Sequence, residues 1–101
     1  MTVKSPLAQF DSVLESRVRL ALMASLVVSE SMEFPAIKEM LGVTDGNLAT
    51  HAQVLERAGY VRIRKHFRGR KPVTTYSATE TGRRAFARHV DALERLLRQG
   101  G

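Results

Sequence analysis

Seven cationic side chains, Arg57, Arg62, Arg64, Lys65, Arg68, Arg70 and Lys71, fall between Arg57 and Thr79 with no acidic residue among them. The 101-residue chain carries 16 Lys plus Arg against 10 Asp plus Glu, a net charge of +6, so the nine cations and ten acids outside this window sum to −1. Guanidinium and ammonium groups at this density repel one another unless an anion is expected, and the chemistry they suit is phosphate binding along a polyanion. The segment Arg68-Gly69-Arg70-Lys71-Pro72 is a turn-forming tip between two extended stretches, 60–67 and 73–78. A hairpin that projects its charge in this way points to nucleic acid rather than to a membrane. The plainer reading is a solubilising loop. Arg62 and Arg64 share one side of their strand and either extend the phosphate track or pair with Glu56 and other helix carboxylates.

A second group of polar side chains is nearly neutral. Leu48, Ala52 and Leu55 recur at helical spacing and define the inward face of a helix expected over 45–58. The opposite face then holds Gly46, Thr50, Gln53 and Arg57, with Asn47 beside them. Asparagine and glutamine amides can pair with two atoms of an adenine edge, and a threonine hydroxyl is adaptable, so Asn47, Thr50 and Gln53 are candidate base readers. An ordinary solvated face is the alternative. Gly46 disfavours helix in the first turn, which suggests a close approach by a neighbouring helix or by a phosphate, packing being the blander of the two. Asp45 is a partner for the helix dipole. His51, His66 and His89 invite a metal hypothesis, with Asp91 and Glu94 near His89 on the last helix. Residues 89 and 91 do not share a helix face and no cysteine accompanies them, so an ordinary polar surface is the plainer reading and no metal is expected. His51 belongs at the margin of the buried face.

These groups need elements to hold them. A central, largely buried helix is expected over 12–29, where apolar residues occupy much of the circumference. Ser31 to Glu33 is a brief connection, and Pro35 suits the first turn of a second helix with Ile37, Met40 and Leu41 inward. Gly42 stops that helix, and Thr44 caps the next one only two residues later. A hairpin follows, with Val61, Ile63 and Phe67 on one side of its first strand, Gly69 and Pro72 in the turn, and Tyr76 and Ala78 covering the core from the second strand. Thr79 caps a last helix that reaches about Gln99, leaving the first residues and Gly100-Gly101 as loose ends. The order helix, helix, tight turn, helix, hairpin, helix describes a winged helix-turn-helix, mainly α with a small β-hairpin, in a single domain over 1–101.

The last helix spaces Phe86, Val90, Leu93 and Leu97 by four, three and four residues. Such a stripe exceeds what one small domain can cover, so about 79–99 is read as a dimerisation helix. A monomer with this helix folded back is the alternative. The chain has no cysteine, no apolar stretch that would span a bilayer, no catalytic triad and no glycine-rich phosphate loop. No enzyme activity, cofactor or membrane partner is expected, and the protein is placed in the cytoplasm at the nucleoid.

The runs Leu41-Gly42-Val43-Thr44-Asp45-Gly46-Asn47-Leu48 and Leu55-Glu56-Arg57-Ala58-Gly59-Tyr60-Val61, the segment 67–76, and Thr79-Glu80-Thr81-Gly82-Arg83 stand in a fixed order. Together they resemble small prokaryotic winged-helix transcriptional regulators related to the MarR and ArsR groups, over about residues 10–97. The resemblance implies a homodimer on double-stranded DNA, with the third helix in the major groove and the wing on the backbone or minor groove. Two positions depart from its pattern: Ala49 where serine is common, and Ala52 where leucine is common. The DNA-binding set is therefore Thr44, Gly46, Asn47, Thr50, Gln53, Arg57, Arg62, Arg64, Arg68, Arg70 and Lys71, serving a sequence-specific regulator, more in the manner of a repressor. The competing function is a protein-interaction module whose basic hairpin meets an acidic partner. No residue cluster marks a site for a small-molecule effector.

Overall fold

A computed structural model describes residues 6–99 and contains four α-helices and a three-stranded antiparallel sheet. The expected loose ends, the first residues and Gly100-Gly101, lie outside the described residues. The first apolar segment does not form one helix over 12–29. Two short 3-10 turns, Pro6–Gln9 and Ser12–Leu14, precede helix α1, Arg17–Ser29. Asp11 caps the second turn through the Val13 N–H, and Ser16, held extended at φ −79° and ψ 132°, caps α1 by accepting from the Arg19 N–H. Leu14 is fully buried, so the apolar rhythm runs straight through the break. Within α1, Leu22, Met23 and Leu26 are fully buried, and the helix packs against every other α-helix and against the sheet.

Helix α1 ends at Glu30, the one non-glycine residue with positive φ among the described residues (φ 67°, ψ −53°). That conformation costs an L-residue roughly 1–3 kcal/mol, which glycine largely avoids. Glu30 is exposed. The Glu30→Gly variant is therefore expected to gain about 1 kcal/mol of stability, measured as a higher urea midpoint with an unchanged slope.

Ser31–Glu33, read from the sequence as a connection, is a strand, β1. It pairs antiparallel with β3, Lys71–Ala78, in the register Ser31↔Ser77 to Glu33↔Thr75, while β3 pairs with β2, Val61–Arg68. Helix α2, Phe34–Leu41, has proline in its first turn and stops at Gly42, whose left-handed φ of 66° lets its N–H donate to the Lys38 carbonyl. Thr44 then caps helix α3, Asp45–Arg57, by accepting from the Asn47 N–H at 3.1 Å. Leu48, Ala52 and Leu55 are its buried residues, as the spacing predicted, and alanine at 52 is fully enclosed.

The hairpin turn is Gly69-Arg70, with Gly69 at φ 65°. Pro72 lies outside that turn, in β3 opposite Phe67. Phe67 does not join Val61 and Ile63 in covering the core; it is 72 % exposed near the tip. Helix α4, Glu80–Gln99, is capped by the Thr79 hydroxyl, which accepts from the Gly82 N–H at 2.9 Å. The face it turns to the body is made of small residues and one histidine: Gly82, Ala85, His89 and Ala92 are buried. His89 is thus an internal packing residue and not part of a polar surface. Its Nδ1 accepts from the Asp11 N–H at 3.0 Å, its ring lies 5.2 Å from Phe10, and the Asp11 carboxylate accepts from the Tyr60 hydroxyl. That bond, with partial burial, raises the Tyr60 phenol above its ordinary pKa.

Candidate nucleic-acid interface

Gly46, Asn47, Thr50, Gln53 and Arg57 are exposed along α3, the arrangement the helical spacing predicted. Thr44 is exposed too, with its hydroxyl oxygen used as the cap. The space around Gly46 decides between the two readings of that residue. A Cβ built there meets nothing within 4 Å, so no neighbouring helix requires the glycine. Asp45 is held by Lys38 across the tight turn at 2.7 Å, which keeps its carboxylate paired beside the helix N-terminus. On the inner side of α3, Arg19 of α1 lies 3.0 Å from His51 Nδ1, so His51 is a hydrogen-bonded packing residue.

The strand register sorts the wing's cations onto two faces. Paired residues share a face, so Ile63, Lys65 and Phe67 stand with Tyr76, Thr74 and Pro72, while Arg62, Arg64 and His66 stand on the other side with Ser77, Thr75 and Val73. The first of these faces looks toward α3. Between them lies an open groove of about 180 Å³ lined by Ala49 and Gln53 of α3, by Ile63, Lys65, Thr74 and Tyr76 of the sheet, and by Phe34. The structure therefore brings Lys65 to Gln53, a cation the sequence reading left out of its DNA-binding set. Arg62 and Arg64 lie on the opposite side of the hairpin, away from the groove. Strand alternation from the inward Ile63 was the signal that could have identified Lys65.

Arg68 is not free at the tip. Its guanidinium reaches across the sheet to Glu33 of β1, with nitrogen–oxygen distances of 2.7 and 3.5 Å. The hydrogen bond and charge of Arg68 hold the Glu33 carboxyl below its ordinary pKa, and Glu33 raises Arg68 in return. The basic window contains no acid of its own, and this one arrives from 35 residues away. Among the described residues, Arg57, Arg62, Arg64, Lys65, Arg70 and Lys71 make no ion pair within 4.0 Å. Their charge is left to solvent, and neither Arg62 nor Arg64 bonds to Glu56.

The expected dimer stripe is divided. Phe86 packs against the core of its own domain and Val90 is half-buried, whereas Leu93 and Leu97 are 41 % and 69 % exposed, with Leu96 beside them at 40 %. No group of three His, Asp or Glu side chains among the described residues could hold a metal ion, and none of the helices is long and apolar enough to cross a membrane.

The sequence profile of the winged helix DNA-binding domain matches residues 18–97, a span that runs from α1 to the last turns of α4. The chain belongs to this family. An uncharacterized protein of Methanocaldococcus jannaschii is 36 % identical over 78 residues, covering 77 % of this chain and 85 % of that protein. Among solved structures, the transcriptional regulator homologue protein of Pyrococcus horikoshii superposes with a TM-score of 0.88 at 30 % identity, over 95 % of this chain and 97 % of that one. The YusO protein of Bacillus subtilis has the same fold, with a TM-score of 0.80 at 19 % identity over 94 % of this chain and 67 % of its own. The resemblance read from the sequence is thereby borne out, as is the winged-helix architecture. Family membership makes the chain a DNA-binding protein and not an enzyme. In winged-helix terms, α2 and α3 are the helix-turn-helix and β2–β3 the wing.

Proposed function

We propose that the protein is a sequence-specific regulator of transcription, a repressor, that binds double-stranded DNA as a homodimer in the cytoplasm. Helix α3 enters the major groove, and the wing follows the backbone into the adjoining minor groove. The observation that carries this reading is the shared groove: Gln53 on the exposed polar face of α3 and the unpaired Lys65 of the wing border one concave surface. The repressor assignment rests on economy of parts: among the described residues, no surface outside the DNA-binding and proposed dimer elements is set apart for polymerase. The Pyrococcus protein, a transcriptional regulator homologue, supports the regulator reading.

Selection of bound duplexes from random DNA tests the proposal directly. A two-fold site with half-sites about 34 Å apart is expected. On that site Arg70→Ala should weaken binding at all sequences alike and make the salt slope shallower by about two, one phosphate for each wing of a dimer. Asn47→Ala and Gln53→Ala should each cost about 1–3 kcal/mol at one base pair and relax preference there. Uniform binding of the unaltered protein to all duplexes, measured by fluorescence anisotropy, would remove the base-reading role of α3.

A further inference from the structure

Phe67 occupies an unusual place for an aromatic ring in a small domain. It is 72 % exposed, two residues from the turn, and directly opposite Pro72. A two-residue turn closed by Arg68↔Lys71 makes the next pair, Phe67↔Pro72, a non-hydrogen-bonded one, where side chains approach closely and proline's missing N–H costs nothing. Strand β1 reaches β3 only at Thr75 to Ser77, so the outer edge of Pro72 is open as well. The two rings share the sheet face of Ile63 and Lys65, the one that looks toward α3, and they continue it past the end of the groove. Lys65 stands two residues along the same face, Arg70 is in the turn and Lys71 is next to Pro72 on the other face. All three are without an ion pair among the described residues, while Arg68 is turned aside to Glu33.

We infer that Phe67 and Pro72 form an apolar wedge that enters the minor groove and partly unstacks one base step, with Arg70 and Lys71 holding the flanking phosphates. Charge complementarity selects the occupant: a ring pair at a hairpin tip that carries unpaired cations on both sides suits the floor of a groove walled by phosphates. Rings of this kind kink the duplex when seated between base pairs, and the pair is suited to it because proline's backbone is fixed and phenylalanine has only two side-chain torsions. Unstacking is easiest at pyrimidine–purine steps, so the wedge imposes a preference for TA or CA under the wing, at positions that no hydrogen bond reads. This inference rests on the DNA-binding reading above.

The test uses the full-length protein and the duplex found by selection, with 2-aminopurine placed at the step under the wing and fluorophores at the two ends. The unaltered protein should raise 2-aminopurine fluorescence, shorten the end-to-end distance, and favour TA over AA at that step by roughly tenfold. Phe67→Ala, at an exposed position, should abolish all three effects and bind the selected site roughly tenfold more weakly, while Phe67→Leu retains part of each. Arg70→Ala should lower affinity yet keep the fluorescence change at saturation. Binding, bending and step preference that are unchanged in Phe67→Ala would overturn the wedge while leaving the regulator reading intact, and would give the ring to a protein contact instead. Failure of the unaltered protein to bind any duplex would bring down both.

Discussion

Replacement of Leu93 and Leu97 together by glutamate is expected to convert the proposed dimer into a monomer and to weaken binding to a two-fold site by roughly 10²–10⁴. The argument starts from how α4 packs on its own domain. Gly82, Ala85, His89 and Ala92 face the body, and small side chains let the helix lie close with little apolar area spent there. The larger residues are left over: Leu93, Leu96 and Leu97 remain 40–69 % exposed on the outer turns of a molecule measuring 61 × 24 × 21 Å. Covering the surface that remains exposed on each leucine contributes roughly 1 kcal/mol, and a symmetric pair of helices supplies six such side chains to hold two small domains together. Two carboxylates per helix in that contact would be desolvated without partners and would oppose their symmetry mates. Because the altered positions are exposed in the isolated domain, far-ultraviolet circular dichroism should not change. Light scattering should give twice the subunit mass for the unaltered protein and one subunit mass for the variant. A variant that keeps the doubled mass and full affinity would exclude this face of α4 from the interface.

The division of α4 into an inward face of small residues and an outward face of leucines was only half legible in the sequence. Phe86, Val90, Leu93 and Leu97 stand out by hydrophobicity, yet two of the four are partly used inside the domain. The residues that make the intramolecular contact, Gly82, Ala85 and Ala92, carry too little apolar area to register in a periodicity. The same limit hid β1. Ser31-Met32-Glu33 has no alternation of its own and becomes a strand only because β3 offers hydrogen-bonding groups along its free edge. What was legible rested on strong local chemistry: Gly42 in the left-handed conformation, the Thr44 cap, and the three buried positions of α3. Candidate site residues on α3 are exposed as expected because a helix fixes their spacing. The wing was read less well, since the face on which a strand cation lies depends on register, and since Arg68 finds its acid in a segment distant in sequence.

Gly82→Ala is expected to cost about 3 kcal/mol, the largest stability effect of any single methyl group considered for this chain. In an open helix the same change would gain about 1 kcal/mol, because alanine restricts the unfolded chain and glycine does not. Here a Cβ would stand 2.1 Å from the Tyr60 carbonyl oxygen and 2.9 Å from the Tyr60 carbonyl carbon and Cα, all of them backbone atoms. Relief by movement is blocked on both sides. The Tyr60 oxygen accepts from the Thr79 N–H at 3.0 Å, and the Tyr60 N–H donates to the Leu55 carbonyl at 2.9 Å, so the end of α3, the start of β2 and the start of α4 are tied at this point. Thr79 adds a 2.6 Å bond from its hydroxyl to the Gly59 carbonyl. Any shift that admits the methyl group must loosen several of these bonds at once, and with them the angle between α4 and the wing. A melting temperature lower by roughly 15 °C follows for a domain of this size. Gly46→Ala is the contrasting change: with nothing within 4 Å, it should leave stability equal or raised by up to about 1 kcal/mol while reducing DNA affinity if a phosphate approaches the start of α3. Thermal melts of the two variants beside the unaltered protein, followed by anisotropy titrations of Gly46→Ala, separate a glycine kept for packing from one kept for the ligand. Equal melting temperatures for Gly82→Ala and the unaltered protein would mean that α4 can lift from Tyr60 without loss, contrary to the close contact described above.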